Sequence, residues 1–218
     1  MKISERLITI ASFIDDDAFV MDVGADHGLL ELYLLDNKHL KGLIAVENKK
    51  GPFQILEKAV KHRGVTCSLS DGIETITDSV DTVVIAGMGG HLIIDILTKD
   101  KSKLNKVNKI VVDAHNDIEF VRREIVKLGY EISKEKIVHE GKFYFVISFI
   151  KGKTDYSQSE YEFGFNIKDD PNFVSYKEYE LSKMESELQK AKSATKLDEV
   201  KIKSLSAKIE RLKAYGNN

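Results

Sequence analysis

Five short apolar runs, over 19–22, 41–47, 65–69, 81–86 and 109–113, alternate with segments of helical period. No other feature limits the fold as much. Parallel strands need a crossover, usually a helix, to bring the chain back to the same end of a sheet, so repeated strand–helix alternation builds a mostly parallel sheet covered on both faces. The helical stretches are 4–14, with Ser4 as N-cap, then the residues after Gly28, then 52–62, 91–97 and 117–128, the last stopped by Gly129. Two longer runs, 130–140 and 142–151, close the sheet as an antiparallel pair. The expectation is an α/β, Rossmann-like fold with seven strands.

A sheet of this kind binds its ligand beyond the strand C-termini, at the point where strand order reverses. Asp22, Glu47, Asp71 and the run Gly87-Met-Gly-Gly90 all fall at strand C-termini and therefore converge on one rim. The first loop, Asp22-Val-Gly-Ala-Asp-His-Gly28, is a glycine turn that brings backbone N–H groups and a helix N-terminus close to a ligand. A dinucleotide fingerprint would need glycine where Asp26 and Leu29 stand. A carboxylate there repels a pyrophosphate, which disfavours NAD and FAD. A nucleoside ligand without phosphate fits better, and S-adenosylmethionine is one. Its sulfonium and amino group suit Asp22 and Asp26, its ribose diol suits Glu47, 23 residues past Gly24, and its adenine lies toward Asp71.

The 218 residues carry a net charge of -2 and are 42% hydrophobic, enough for one domain with an appendage or two small ones. A single cysteine, Cys67, excludes an intrachain disulfide framework and a cysteine-built zinc site, and the histidines lack metal-ligand spacing. No apolar run approaches the roughly 20 residues of a membrane span, and the charged opening Met1-Lys-Ile-Ser-Glu-Arg6 is no signal peptide. A cytoplasmic protein without a metal or a membrane partner is expected. The domains read as 1–152, a connector without clear period at 153–170, and a helical appendage at 171–218, where Asp170-Pro171 signals a helix start. An apolar stripe through Leu181, Met184, Leu188 and Ala191 resumes at Ile202, Leu205, Ile209 and Leu212. Thr195 and Asp198 interrupt it, so 193–198 is the turn of an antiparallel hairpin. Residues 183–213 hold nine basic and five acidic side chains, which fits either a solvated coiled-coil surface or a face for RNA.

The local sequences Ser4-Glu-Arg-Leu7, Asp22-Val-Gly-Ala-Asp-His-Gly28, Gly51-Pro-Phe53, Asp71-Gly72, Ile85-Ala-Gly-Met-Gly-Gly90 and Glu140-Gly-Lys-Phe-Tyr144 resemble those of the bacterial tRNA (adenine-22-N1)-methyltransferase family, a class I S-adenosylmethionine-dependent family. The resemblance runs in order over about 3–150, and the hairpin agrees with that family's C-terminal coiled coil. It implies methylation of N1 of adenine 22 in tRNA; a monomer is expected. The cofactor residues it implies are Asp22, Gly24, Asp26, His27, Glu47, Asn48, Asp71, Gly72, Ala86, Gly87 and Met88. Its catalytic set is Asp26, Gly87, Met88, Asn116 and Tyr144. One departure stands out: the family has Gln-Pro-Asn after strand 5, whereas this chain reads Asp113-Ala-His-Asn116, so only Asn116 carries over. Gly28 replaces a small residue such as Ala, a mild change.

Adenine N1 attacks with its own lone pair, so no strong base is required, and positioning supplies much of the rate. The methylated base is cationic, and a nearby carboxylate stabilises it. Asp26 is the best candidate, with a competing role as N-cap of the following helix. His27 either touches the ligand or braces the loop. Gly87 to Gly90 is either an acceptor rim or a plain strand-to-helix turn. Met88 offers apolar contact to a flipped base, Tyr144 either stacks on it or belongs to the core, and Asn116 either reads an adenine edge or forms a turn. Methyl transfer to a small molecule or protein, and a non-catalytic nucleotide-binding scaffold, remain as alternatives.

Overall fold

The computed structural model describes residues 3–195 and 197–216. They form two compact units, 1–155 and 156–218. In the first unit the strands are β1 (Phe19–Val23), β2 (Gly42–Glu47), β3 (Thr66–Leu69), β4 (Thr82–Met88), β5 (Lys109–Ala114), β6 (Tyr130–His139) and β7 (Phe143–Lys151). They make one sheet in the order β3-β2-β1-β4-β5-β7-β6, parallel through β5, with β7 antiparallel to both β5 and β6. From β1 the chain first moves outward through β2 and β3, then returns to β4 on the other side of β1. The switch point therefore lies between β1 and β4.

The central strands are Val- and Ile-rich without alternation because both faces are buried. Val20, Val84 and Val111 pack on one face with Ile10 and Ile14 from the region of α1 (Glu5–Ser12) and with Leu30 and Leu34 of α2 (Leu29–Asn37). Leu56 of α3 (Lys50–Ala59) and Val60 just beyond it pack with Ala45. The remaining crossovers are α4 (Gly90–Lys99) and α5 (Ile118–Lys127), which pack together. Ser4 caps α1 as expected, accepting from Leu7 N–H at 3.2 Å. Helix α3 begins two residues before Pro52, which falls in its first turn, where its missing N–H costs nothing. No helix joins β3 to β4; turns fill that connection.

In the second unit, the part of the expected 153–170 connector that falls here, 156–170, is more than a featureless linker. It contains α6 (Gln158–Phe163), opened by a capping box in which Ser157 and Glu160 each bond the other's backbone N–H. Helices α7 (Phe173–Lys192) and α8 (Glu199–Ala214) pack as the antiparallel hairpin. Lys177 donates to the Tyr215 carbonyl, while Lys201 pairs with Glu187 near the turn. Helix α7 starts at Phe173 rather than Pro171, because Asp170 turns the chain by accepting from Asn172 N–H. The 193–198 turn is present apart from position 196, which lies outside the described residues, and Asp198 caps α8. Met184, Ile209 and Leu212 of the stripe are buried.

Candidate active site

The C-terminal ends of β1, β2, β4 and β5 open on a cleft of about 590 Å³, well within the usual size of a small-molecule site. All eleven residues expected to hold the cofactor line it. At its floor β1 ends in a left-handed turn at Gly24 (φ +84°), where a Cβ would collide with the Met88 methyl group. Met88 thus lies over the first loop. Asp22 is buried, and burial pushes its carboxyl up to about 6. It faces the carboxyl of Glu31 on α2, which is fully buried, has no hydrogen-bond donor of good geometry, and is raised well above its ordinary value by burial and then by the Asp22 charge. Two acids so placed hold a proton between them.

Asp26 is the exposed acid of this loop, its side chain 64% accessible and bonded to His27 Nδ1 at 2.7 Å. Its backbone is left-handed (φ +50°), a conformation that glycine adopts at less cost. It is not the cap of α2: the N-cap is Gly28, with no side-chain hydrogen bond. On the next strand end Glu47 is nearly buried, and its Oε1 accepts from Lys49 N–H at 2.9 Å. Oε2 has no donor among the described residues and suits a vicinal diol. Asp71 is exposed and held below the usual carboxylate range by hydrogen bonds from Lys99, at 3.1 Å, and then from Asn48.

Across the switch point β4 runs on to Met88 through a bulge that throws Gly87 out of register at φ +73°. A Cβ on Gly87 would meet only His115 Nε2, at 3.9 Å, so this side of the cleft is open. Two expected acceptor-side residues stand back from it. The Asn116 amide oxygen accepts from Gly90 N–H at 2.9 Å, satisfying the first turn of α4. The Tyr144 ring is covered by cations, with Arg6 at 4.4 Å and Lys142 at 4.8 Å from its centroid. Instead the wall is made by Arg6, Asp113 and His115, for which no role was expected. Arg6 Nη1 meets His115 Nε2 at 3.2 Å, and Arg6 Nε lies 3.4 Å from Asp113 Oδ2. Burial raises Asp113 to about 6, against the pull of Arg6. Burial and then Arg6 lower His115, so its imidazole stays neutral at pH 7. Asp113 does carry a sequence signal, an acid ending an otherwise apolar strand. So does Glu31, a charge inside Leu29-Leu-Glu-Leu32.

Residues 3–147 match the family described as a methyltransferase domain. The tRNA (adenine(22)-N(1))-methyltransferase of Bacillus subtilis is 31% identical over 98% of this chain and 96% of its own length. The chain belongs to this methyltransferase family. Among solved structures, a Streptococcus pneumoniae relative in complex with S-adenosyl-L-methionine superposes with a TM-score of 0.86 at 30% identity, covering 98% of this chain and 99% of the other. Mycoplasma capricolum TrmK in complex with S-adenosyl-homocysteine gives 0.84 at 25% identity, covering 100% and 99%. The family's likeness extends through the helical unit, so both units are shared. Among the described residues no cluster of His, Cys, Asp or Glu is arranged to hold a metal, and no helix is long and apolar enough to cross a membrane.

Proposed function

We propose that the protein transfers a methyl group from S-adenosylmethionine to N1 of adenine 22 in tRNA, acting as a cytoplasmic monomer. The observation that carries the reading is the near end-to-end match to the Bacillus subtilis enzyme, hairpin included. The cleft fits the cofactor by its donor set: the diol acceptor Glu47, the tethered Asp71, a glycine turn with no room for a Cβ, and acids in place of a pyrophosphate cradle. When bound, S-adenosylmethionine supplies an electrophilic methyl on a sulfonium.

The protein's part is to orient and to balance charge. Asp22 and Glu47 position the two ends of the cofactor from adjacent strands. Asp26, charged and at the mouth, faces the positive charge that the base acquires. The imidazole of His27 fixes its carboxylate. Gly87 leaves open the space through which a flipped base arrives. The hairpin contributes a tRNA-binding face through basic residues such as Lys190 and Lys192.

The test is methylation of unmodified tRNA with labelled cofactor, followed by mapping of the modified base. Wild type marks adenine 22, and Asp26→Ala loses at least about a hundredfold in rate, the scale of one charge-stabilising group, while its melting temperature stays near wild type. Full activity in Asp26→Ala would remove Asp26 from the mechanism.

A further inference from the structure

Asp113 presents an unusual state: its carboxylate is fully buried in the cleft wall, yet neither oxygen has a hydrogen bond of good geometry, the Gly87 N–H making only a looser contact with it. The contact with Arg6 Nε at 3.4 Å is longer than the 2.7–2.9 Å of a charge-assisted hydrogen bond. Arg6 Nε is itself buried and lacks a hydrogen bond. The pair is desolvated and only loosely satisfied, which is costly on both sides. Other acceptors near Gly87 are already engaged. The Asn116 amide oxygen takes Gly90 N–H, and His115 Nε2 takes Arg6 Nη1.

We propose that Asp113 is the specificity-determining acceptor for the exocyclic amino group of the substrate adenine, and that Arg6 is a cover displaced when that base enters. This rests on the adenine-22 reading given above. An adenine edge presents N1 as nucleophile and N6 as donor side by side, so an acceptor for N6–H fixes where N1 points. In the transfer step the N1 lone pair forms the new N–C bond as the methyl–sulfur bond breaks. Sulfur keeps that electron pair and becomes a neutral thioether. The positive charge then spreads over N1, C6 and N6, no proton moves, and Asp113 stays a carboxylate opposite that charge. Hypoxanthine, with a carbonyl at C6 and a proton on N1, is refused by the same group.

The experiment is a double-mutant cycle between protein and RNA. Wild type and Asp113→Ala are each assayed on tRNA carrying adenine or unsubstituted purine at position 22. The cycle cancels the lower intrinsic nucleophilicity of purine. Equilibrium binding of both RNAs to protein loaded with S-adenosylhomocysteine gives a readout independent of turnover. Asp113→Ala is expected to lose ten- to a hundredfold in kcat/KM on adenine tRNA, the worth of one hydrogen bond to a charged group, and little further on purine tRNA. The wild-type binding preference for adenine disappears in the variant, while cofactor affinity is unchanged. Asp113→Asn keeps the shape and guards against misfolding; it shows the same loss of discrimination to a smaller degree. Equal losses on the two RNAs would overturn the proposal and leave Asp113 as a structural anchor for Arg6. A wild-type protein that leaves adenine 22 unmodified would overturn both this inference and the function beneath it.

Discussion

Asp22 and Asp113 hold matching positions at the ends of two parallel strands on either side of β4. Both are buried, and burial raises each to about 6. Their neighbours make them different. Asp22 faces a second carboxyl, Glu31, so the favourable state carries one proton for two acids. Asp113 faces the Arg6 guanidinium, whose charge offsets part of the burial cost and favours the carboxylate. Burial alone does not decide the charge of a group; the sign of its partner does. The cofactor side of the cleft is thus built around a shared proton, and the base side around a charged acceptor.

The largest effect should come from Arg6. Arg6→Leu removes the cation that, among the described residues, is in direct contact with Asp113 and leaves a buried carboxylate without its close partner, a change worth on the order of 3 kcal/mol. Asp113 already binds its proton more tightly folded than unfolded, so its contribution to stability is complete below about pH 4 and shrinks as pH rises through 6. Without Arg6 that loss extends to higher pH. Melting curves at pH 5 and pH 8 should show a wild-type-minus-variant gap that widens at pH 8. A gap equal at both pH values would mean that Arg6 stabilises through packing on Tyr144 rather than through Asp113.

Glu31→Gln should act more weakly and in the opposite direction. Both acids of that pair are raised, so the native state holds protons that the unfolded chain releases, and stability falls as pH rises through about 6. The amide takes the place of the shared proton, donates to Asp22 and cannot ionise. The variant should melt a few degrees above wild type at pH 8, about 1–2 kcal/mol for a chain of this size, and close to it at pH 4.5. A variant less stable at pH 8 would show that Glu31 is charged in the fold and has a partner.

The cofactor half of the site was far more legible in the sequence than the base half. Strand C-termini bring Asp22, Glu47 and Asp71 together through topology alone, and topology follows from strand–helix alternation, which is a periodic and local signal. Glycine at 24 and an acid at 26 likewise announce a turn and its ligand class. Arg6, Asp113, His115 and Tyr144 meet only because β7 returns antiparallel beside β5 and Arg6 of α1 reaches Asp113 and His115, the latter 109 residues away in the chain, a contact that no local pattern encodes. Asn116 shows the same limit. Its type suits base reading and turn building equally, and only the 2.9 Å bond to Gly90 N–H separates them. Helix α6 is hidden in the sequence for a different reason: its capping box is a clear signal, but six residues give no period to read.

The smallest effect tests how far the positive charge on the base side reaches. Lys142 sits at the tip of the β6–β7 hairpin, exposed, with its Nζ 4.8 Å from the Tyr144 centroid. Its charge adds to that of Arg6 in favouring the Asp113 carboxylate, and with Arg6 it disfavours protonation of His115. It acts through solvent at an exposed position, where salt screens it strongly. Lys142→Ala should therefore leave stability within error while moving His115 back toward its ordinary titration, followed by proton NMR of the imidazole. Raising the salt concentration on wild type should produce the same displacement. If His115 titrates identically with and without Lys142 at low salt, the guanidinium of Arg6 alone sets the potential of the base pocket.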